Sequence, residues 1–259
     1  MGLQNNIFLA GSPSFLELLI KHRFQQEDWA VYGPCDTGEE TKACFKINNI
    51  QNIMFFADDE IKSGNICGLQ AALEIAKEYQ VKRFFFISSM QVFSEAEMPV
   101  SEISEPHPDS EIGKNYLLAE NLLQSYCSIY EMKYCLIRKS NVYGPGEVPA
   151  LGNVSQWILD NNFTENAPKV MGSNEYLFVD DFVFAIYQTV SREHDFSLLH
   201  LTGGESKNSS ALGQNELGWS FRYTWNRGWQ KTTEWVKEYC KQSTSKSMQS
   251  KRTWKKSKT

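Results

Sequence analysis

The stretch Phe84 to Phe93, FFFISSMQVF, constrains the fold more than any other part of the chain. Phe84, Phe85, Phe86 and Ile87 follow one another with no polar residue between them, so a strand built from them must be covered on both faces. Such a strand belongs in the middle of a parallel sheet. The run ends at Ser88 and Ser89, and in an open α/β sheet ligands bind just outside the carboxyl ends of the strands. Ser89 is therefore the first candidate to touch a ligand. The plainer alternative is that the two serines only cap or turn the chain.

The rest of the chain repeats a strand–helix rhythm. Asn6 to Ala10, then Gly11, then Phe15, Leu18, Leu19 and Phe24 at helical spacing predict a strand, a turn and a helix. Trp29 to Gly33 predicts a second strand, and the weak signals of Pro34 to Asn52 give a short strand at Cys44 to Ile47. Asn52 to Ala57 is another continuous apolar strand, followed by Ile66, Leu69, Leu73 and Ala76 at helical spacing. After the central strand, a loop with Pro99, Pro106 and Pro108 leads to a helix from about Glu111 to Tyr130 and a strand from Lys133 to Arg138. The glycines and proline of SNVYGPG, Ser140 to Gly146, force a turn at the ligand edge. A helix at Trp157 to Asn161, an extended piece at Tyr176 to Val179, a helix at Asp181 to Val190 and a strand at Leu198 to Leu201 follow, the last breaking at Gly203 and Gly204. Trp229, Thr232, Val236 and Tyr239 make a final amphipathic helix. Strands alternating with helices predict an α/β fold with a doubly wound parallel sheet.

With 259 residues, 41% of them hydrophobic, the chain can bury the core of one large domain. No run approaches the roughly 18 apolar residues of a membrane span, and the first residues lack the pattern of an export signal. A soluble, cytoplasmic protein is expected. Six cysteines without a CxxC pair, set mostly in apolar runs, fit reduced core thiols better than disulfides, and no metal site is expected. Trp219 and Trp235 are core residues by default. Charge is divided: residues 241–259 hold seven Lys or Arg and no acid, and the first 240 residues hold 19 basic against 31 acidic side chains. The tail is expected to be a disordered, solvated terminus or linker, with an anionic partner as the sharper alternative.

The pieces VKRFFFISSMQVF, CLIRKSNVYGPG, YLFVDDFVFAI, LHLTGGES and ELGWSFRYTWNRGWQKTTEWVKEY resemble, in order and spacing, the extended short-chain dehydrogenase/reductases. These are the NAD-dependent epimerase/dehydratase family acting on nucleotide sugars, and NICGLQAALEIAKEYQ is similar to that family's helix before the central strand. The resemblance covers roughly residues 52–240. It implies a single Rossmann-like domain over 1–240, with its core at about 1–145 plus parts of 176–202. A small C-terminal substrate lobe comes from about 146–175 and 203–240. It also implies a homodimer paired through the helix at 111–130.

Carried over one residue at a time, the resemblance implies a degenerate member. Ser89, three residues before Val92, matches the family's catalytic Ser or Thr. The family then uses YxxxK, a Tyr as general acid/base and a Lys that lowers its pKa and holds the nicotinamide ribose. Aligning Ala119 and Glu120 with the family's AE puts Ile112 at the Tyr position and Tyr116 at the Lys position. Ile112 has no proton to give, and Tyr116 is neutral near pH 7. Lys114 and Tyr116 as a shifted pair lie about 200° apart around a helix and cannot act together.

The family's GxxGxxG becomes Gly11, Ser14 and Glu17, which brings a negative charge towards the place of a pyrophosphate. Asp36 stands in for the acid that binds the adenosine ribose, with Cys35 nearer the expected position. The segment between the first strand and NIMFFA is shorter than the family's, so part of the adenine side is expected to be missing. Arg138 and Asn141 fall in the turn that lines the nucleotide-sugar pocket, while Asn174 replaces an Arg that would hold a diphosphate. SNVYGPG has an alternative reading as a turn that packs the lobe onto the sheet.

Two functions follow. The first is a non-catalytic binding, regulatory or scaffold member with no tightly bound cofactor. The second is an active nucleotide-sugar epimerase, dehydratase or reductase that uses NAD or NADP with an atypical base, for which His107 is the only nearby histidine.

Overall fold

The computed structural model describes residues 5–57, 61–94, 99–150, 153–164, 166–168, 176–203, 215–218 and 220–256. Its centre is a six-stranded sheet in the order β2-β1-β3-β4-β5-β8, from β1 (Asn6–Gly11), β2 (Ala30–Tyr32), β3 (Asn52–Phe56), β4 (Arg83–Ser89), β5 (Lys133–Lys139) and β8 (Leu198–Leu201). Every pairing is parallel, and β4 lies inside the sheet with Phe85 opposite Met54 on one side and Cys135 on the other.

The two faces of the sheet are read directly from strand alternation. Ile7, Leu9, Met54, Phe56, Phe85, Ile87 and Ile137 point to one side, where they pack on α1 (Phe15–Gln26) and α6 (Val179–Ser191). Phe8, Ile53, Phe55, Phe84, Phe86 and Leu136 point to the other, against α2 (Gly38–Asn48), α3 (Cys67–Glu78) and α4 (Glu111–Ile129). An apolar run without alternation is what a strand needs when helices cover both faces. The sheet is doubly wound, as expected.

A second, smaller sheet pairs β6 (Asn141–Tyr143) with β7 (Tyr176–Phe178), again in parallel. With α5 (Val154–Asp160) and the start of α7 (Trp225–Lys256) it surrounds a separate core of Tyr143, Val154, Ile158, Phe178, Trp229 and Val236. Trp235 packs partly buried against that core. Asn174, Gly204 and Trp219 lie outside the described residues.

Two expectations are corrected. Cys44 to Ile47 is not a strand but part of α2, which starts with a capping box: Thr37 Oγ1 accepts from Glu40 N–H at 3.2 Å and the Glu40 carboxylate accepts from Thr37 N–H at 3.2 Å. That reciprocal pair fixes the first turn, and Phe45 then packs its ring 4.7 Å from Phe8. The backbone of α7 runs on to Lys256, as a helix already anchored by Trp229 and Val236 needs no new nucleus to extend. The cysteines are not uniformly core residues: Cys127 and Cys135 are buried, but Cys35 and Cys67 are exposed. Among the described residues, no helix is long and apolar enough to cross a membrane.

Candidate functional site

The strands of the main sheet all end on the same edge, and the candidate residues gather there. Ser89 closes β4, and its Oγ accepts from Gln91 N–H at 3.2 Å, capping a 3-10 turn at Met90–Val92. The capping reading of this serine is therefore realised, with the side chain only partly covered. The first turn of α4 is pressed against that turn. A Cβ on Gly113 would stand 2.1 Å from the Gln91 carbonyl oxygen, so no other residue fits there without a shift of backbone. Within α4, Ile112 and Tyr116 diverge: Ile112 is 37% exposed, whereas Tyr116 is 1% exposed inside the core under the sheet. Lys114 points out and pairs with Glu111 at 2.7 Å, so Lys114 and Tyr116 do face different ways.

Beneath Ser89 lies a buried polar group that the sequence reading had assigned differently. Arg138 is 3% exposed and does not line an open pocket. Its guanidinium meets the Glu120 carboxylate through Nη2 at 2.7 Å and Nε at 3.1 and 3.2 Å. The Ser88 hydroxyl donates to the same carboxylate at 2.5 Å, and the plane of Arg138 lies over Phe93 at 5.1 Å. The cause is positional: Arg138 sits in β5 opposite Ser88 of β4, one residue before the strand end, and its side chain enters the face covered by α4, which carries Glu120. His200 of β8 is fully buried beside it, and burial, followed by the Arg138 charge, pushes its pKa down to about 3. The imidazole is neutral. The signal for this group was available: an acid inside the apolar face of α4 and an arginine inside CLIRK must pair to be buried at all.

Gly11, the last residue of β1, has φ +94° and a Cβ that would lie 2.1 Å from the Phe56 carbonyl oxygen, so only glycine suits this turn. Ser14 caps α1, and its Oγ takes the Glu17 N–H at 3.2 Å, one of the amides that a phosphate at this helix end would use. Glu17 stands in the first turn of α1. Asp36 and Cys35 are exposed beyond β2, and Cys35 N–H is held by Thr41 Oγ1 at 3.2 Å. Among the described residues only β2 lies outside β1, whereas the six-stranded dinucleotide order places two strands there.

On the lobe side, Asn141 is exposed at the start of β6, apart from the buried Arg138. Asp181, the second acid of VDD, is 2% exposed and accepts Arg222 N–H at 3.0 Å and Tyr223 N–H at 3.1 Å, which ties the segment before α7 to α6. Burial raises its pKa, against the lowering effect of those two amides. Glu147 was not anticipated. It follows the SNVYGPG turn, whose Gly146 packs near Phe15 and Leu19 of α1, and its Oε2 accepts from Ser155 N–H at 3.3 Å and Ser155 Oγ at 3.1 Å. Burial pushes its pKa up to about 7, so it titrates at neutral pH. His107 is an exposed residue of the loop before α4.

The chain is similar to known proteins. Of the curated relatives, the dTDP-D-glucose 4,6-dehydratase of Dictyostelium discoideum is 26% identical over 140 residues, 47% of this chain and 31% of that protein. An uncharacterized UDP-glucose epimerase of Bacillus subtilis is 25% identical over 134 residues, 50% of this chain and 42% of that protein. The matched segment thus spans less than half the length of these relatives. Among solved structures, the Thermotoga maritima UDP-glucose 4-epimerase with UDP-glucose superposes with a TM-score of 0.76 at 18% identity, over 91% of this chain and 99% of that one. The Bacillus anthracis dTDP-glucose 4,6-dehydratase in complex with NAD gives 0.72 at 17% identity, over 90% and 97%. These superpositions establish the fold. Residues 57–197, which run from the end of β3 to the start of β8 and include Ser89, Glu120 and Arg138, match the model of the NAD dependent epimerase/dehydratase family, and the chain belongs to that family.

Proposed function

We propose that this chain is a non-catalytic member of its family, acting as a binding or regulatory subunit rather than as an oxidoreductase. The observation that carries this reading is the pair at the acid/base positions. Ile112 cannot exchange a proton, and Tyr116, in place of a lysine, has its side chain in the core rather than at the edge beside Ser89. Two further features support it. The α1 end offers a dinucleotide a capped amide and a carboxylate, with one strand fewer on the adenosine side. The sequence that follows β4 is also acidic, with six Asp or Glu and no Lys or Arg in residues 93–113, a composition that does not favour a diphosphate.

The test uses the unmodified chain, incubated with NAD or NADP and UDP-, GDP- or dTDP-sugars, with product followed by chromatography. No turnover is expected. Turnover that Ser89→Ala abolishes would overturn the reading. A second reading, an active nucleotide-sugar epimerase, dehydratase or reductase using NAD(P), is favoured by Ser89 at the strand end and by the nucleotide-sugar and NAD complexes among the structural neighbours. In that case Glu147, held by Ser155 and titrating near neutrality, is the candidate base, and Glu147→Gln would remove turnover.

A further inference from the structure

One large feature of the chain has no part in the candidate site: the division of its charge. Residues 241–259 carry seven cations and no acid on a body with a twelve-charge acidic excess. The structure sets this boundary where α7 leaves the lobe. Thr232, Thr233 and Val236 are buried, Tyr239 and Cys240 are partly covered, and Lys241, Gln242 and Ser243 are exposed, while the helical backbone runs on to Lys256. A polar helical segment of about 16 residues is marginal without tertiary contacts. Lys241 at its start pairs with Glu238 at 2.6 Å, and the segment itself contains no acid with which its later cations could form i,i+4 pairs. It gains most from a partner of opposite charge.

The order of residues narrows the chemistry of that partner. In Lys251-Arg252-Thr253-Trp254-Lys255-Lys256 one aromatic stands between two pairs of cations. Cations that neutralise phosphates, with an interleaved aromatic on which a base can stack, suit single-stranded nucleic acid. A lipid surface suits the segment less well, because Met248 and Trp254 are the only large apolar residues in 241–259 and cannot make an inserting face. We propose that residues 241–256 form an arm that binds single-stranded nucleic acid through its phosphates and one stacked base. Contact is confined to the arm, since the acidic body repels a polyanion.

The experiment measures fluorescence anisotropy of labelled RNA and DNA strands of roughly 20 nucleotides titrated with the full chain. With four phosphates neutralised, binding should weaken about 50-fold between about 50 and about 200 mM salt, the slope expected for single strands. Lys251→Ser, Arg252→Ser, Lys255→Ser and Lys256→Ser together should abolish binding with an unchanged melting temperature. Trp254→Ala should weaken it roughly 5- to 100-fold while leaving the salt slope as it was. No anisotropy change up to roughly 100 µM protein at the lower salt would overturn the proposal. So would binding that survives the fourfold variant, or arm-dependent binding to phosphatidylserine vesicles without binding to either strand.

Discussion

Glu147 makes stability depend on pH in a direction opposite to that of most carboxylates. Its pKa rises from an ordinary 4.5 to about 7 because burial penalises the charged form more than Ser155 stabilises it. Between those two values the unfolded chain loses the proton and the native chain keeps it, so the native state binds more protons and stability falls as pH rises. The loss begins above the unfolded value, is complete above about 7, and is absent below 4.5. At 1.36 kcal/mol per pKa unit the full effect is about 3 kcal/mol. Because Glu147 is partly exposed, solvent screening brings the working figure nearer 1.5 kcal/mol, roughly half.

Glu147→Gln keeps an oxygen that can accept from Ser155 and removes the titration. Urea unfolding of parent and variant at a series of pH values isolates this group, since every other titrating residue cancels in the difference. The variant should match the parent near pH 4 and exceed it by about 1.5 kcal/mol at pH 8. A difference that stays flat from pH 4 to 8 would show that Glu147 is not held protonated, and the burial argument would fail.

Other expectations concern the edge and its surroundings. Dinucleotides at millimolar concentration should raise the melting temperature by no more than about a degree, because ligand binding must stabilise the native state by mass action; a clear concentration-dependent rise would contradict the poor fit at Ser14 and Glu17. Glu120→Gln, which leaves Arg138 buried without a counter-charge, should cost about 3–5 kcal/mol in urea unfolding, whereas Ser88→Ala should cost about 1 kcal/mol. Tyr116→Lys would place an ammonium in the core under the sheet; a loss of several kcal/mol, about 3 or more, is expected, and a variant as stable as the parent would show that the side chain can reach the edge. Leu118 and Ile129 lie 53% and 71% exposed on α4, and light scattering should find a dimer through that helix; a monomer at micromolar concentration would count against it.

The sequence made the fold legible because its signals were local and redundant. Phe84 to Ile87 could only be a strand covered twice, and the resemblance supplied five ordered pieces around it. The weak region, Pro34 to Asn52, was misread at Cys44 to Ile47 because four residues of mixed polarity carry no period. The decisive signal was the Thr37-x-x-Glu40 box seven residues earlier.

Site residues were harder, and Arg138 shows the reason. Its place in an RxxNVYGPG turn suggested a ligand contact, but whether a strand residue faces the cleft or the core depends on register against its neighbours. A shift of one residue exchanges the two faces. With Arg138 opposite Ser88 and Glu120 above both, burial follows from pairing rather than from motif. The same logic bears on Ser89. Ser88 must turn inward to meet Glu120, so Ser89, one residue on, turns outward to the edge. On the proposed reading, the buried ion pair beneath the strand end thus fixes which way Ser89 faces.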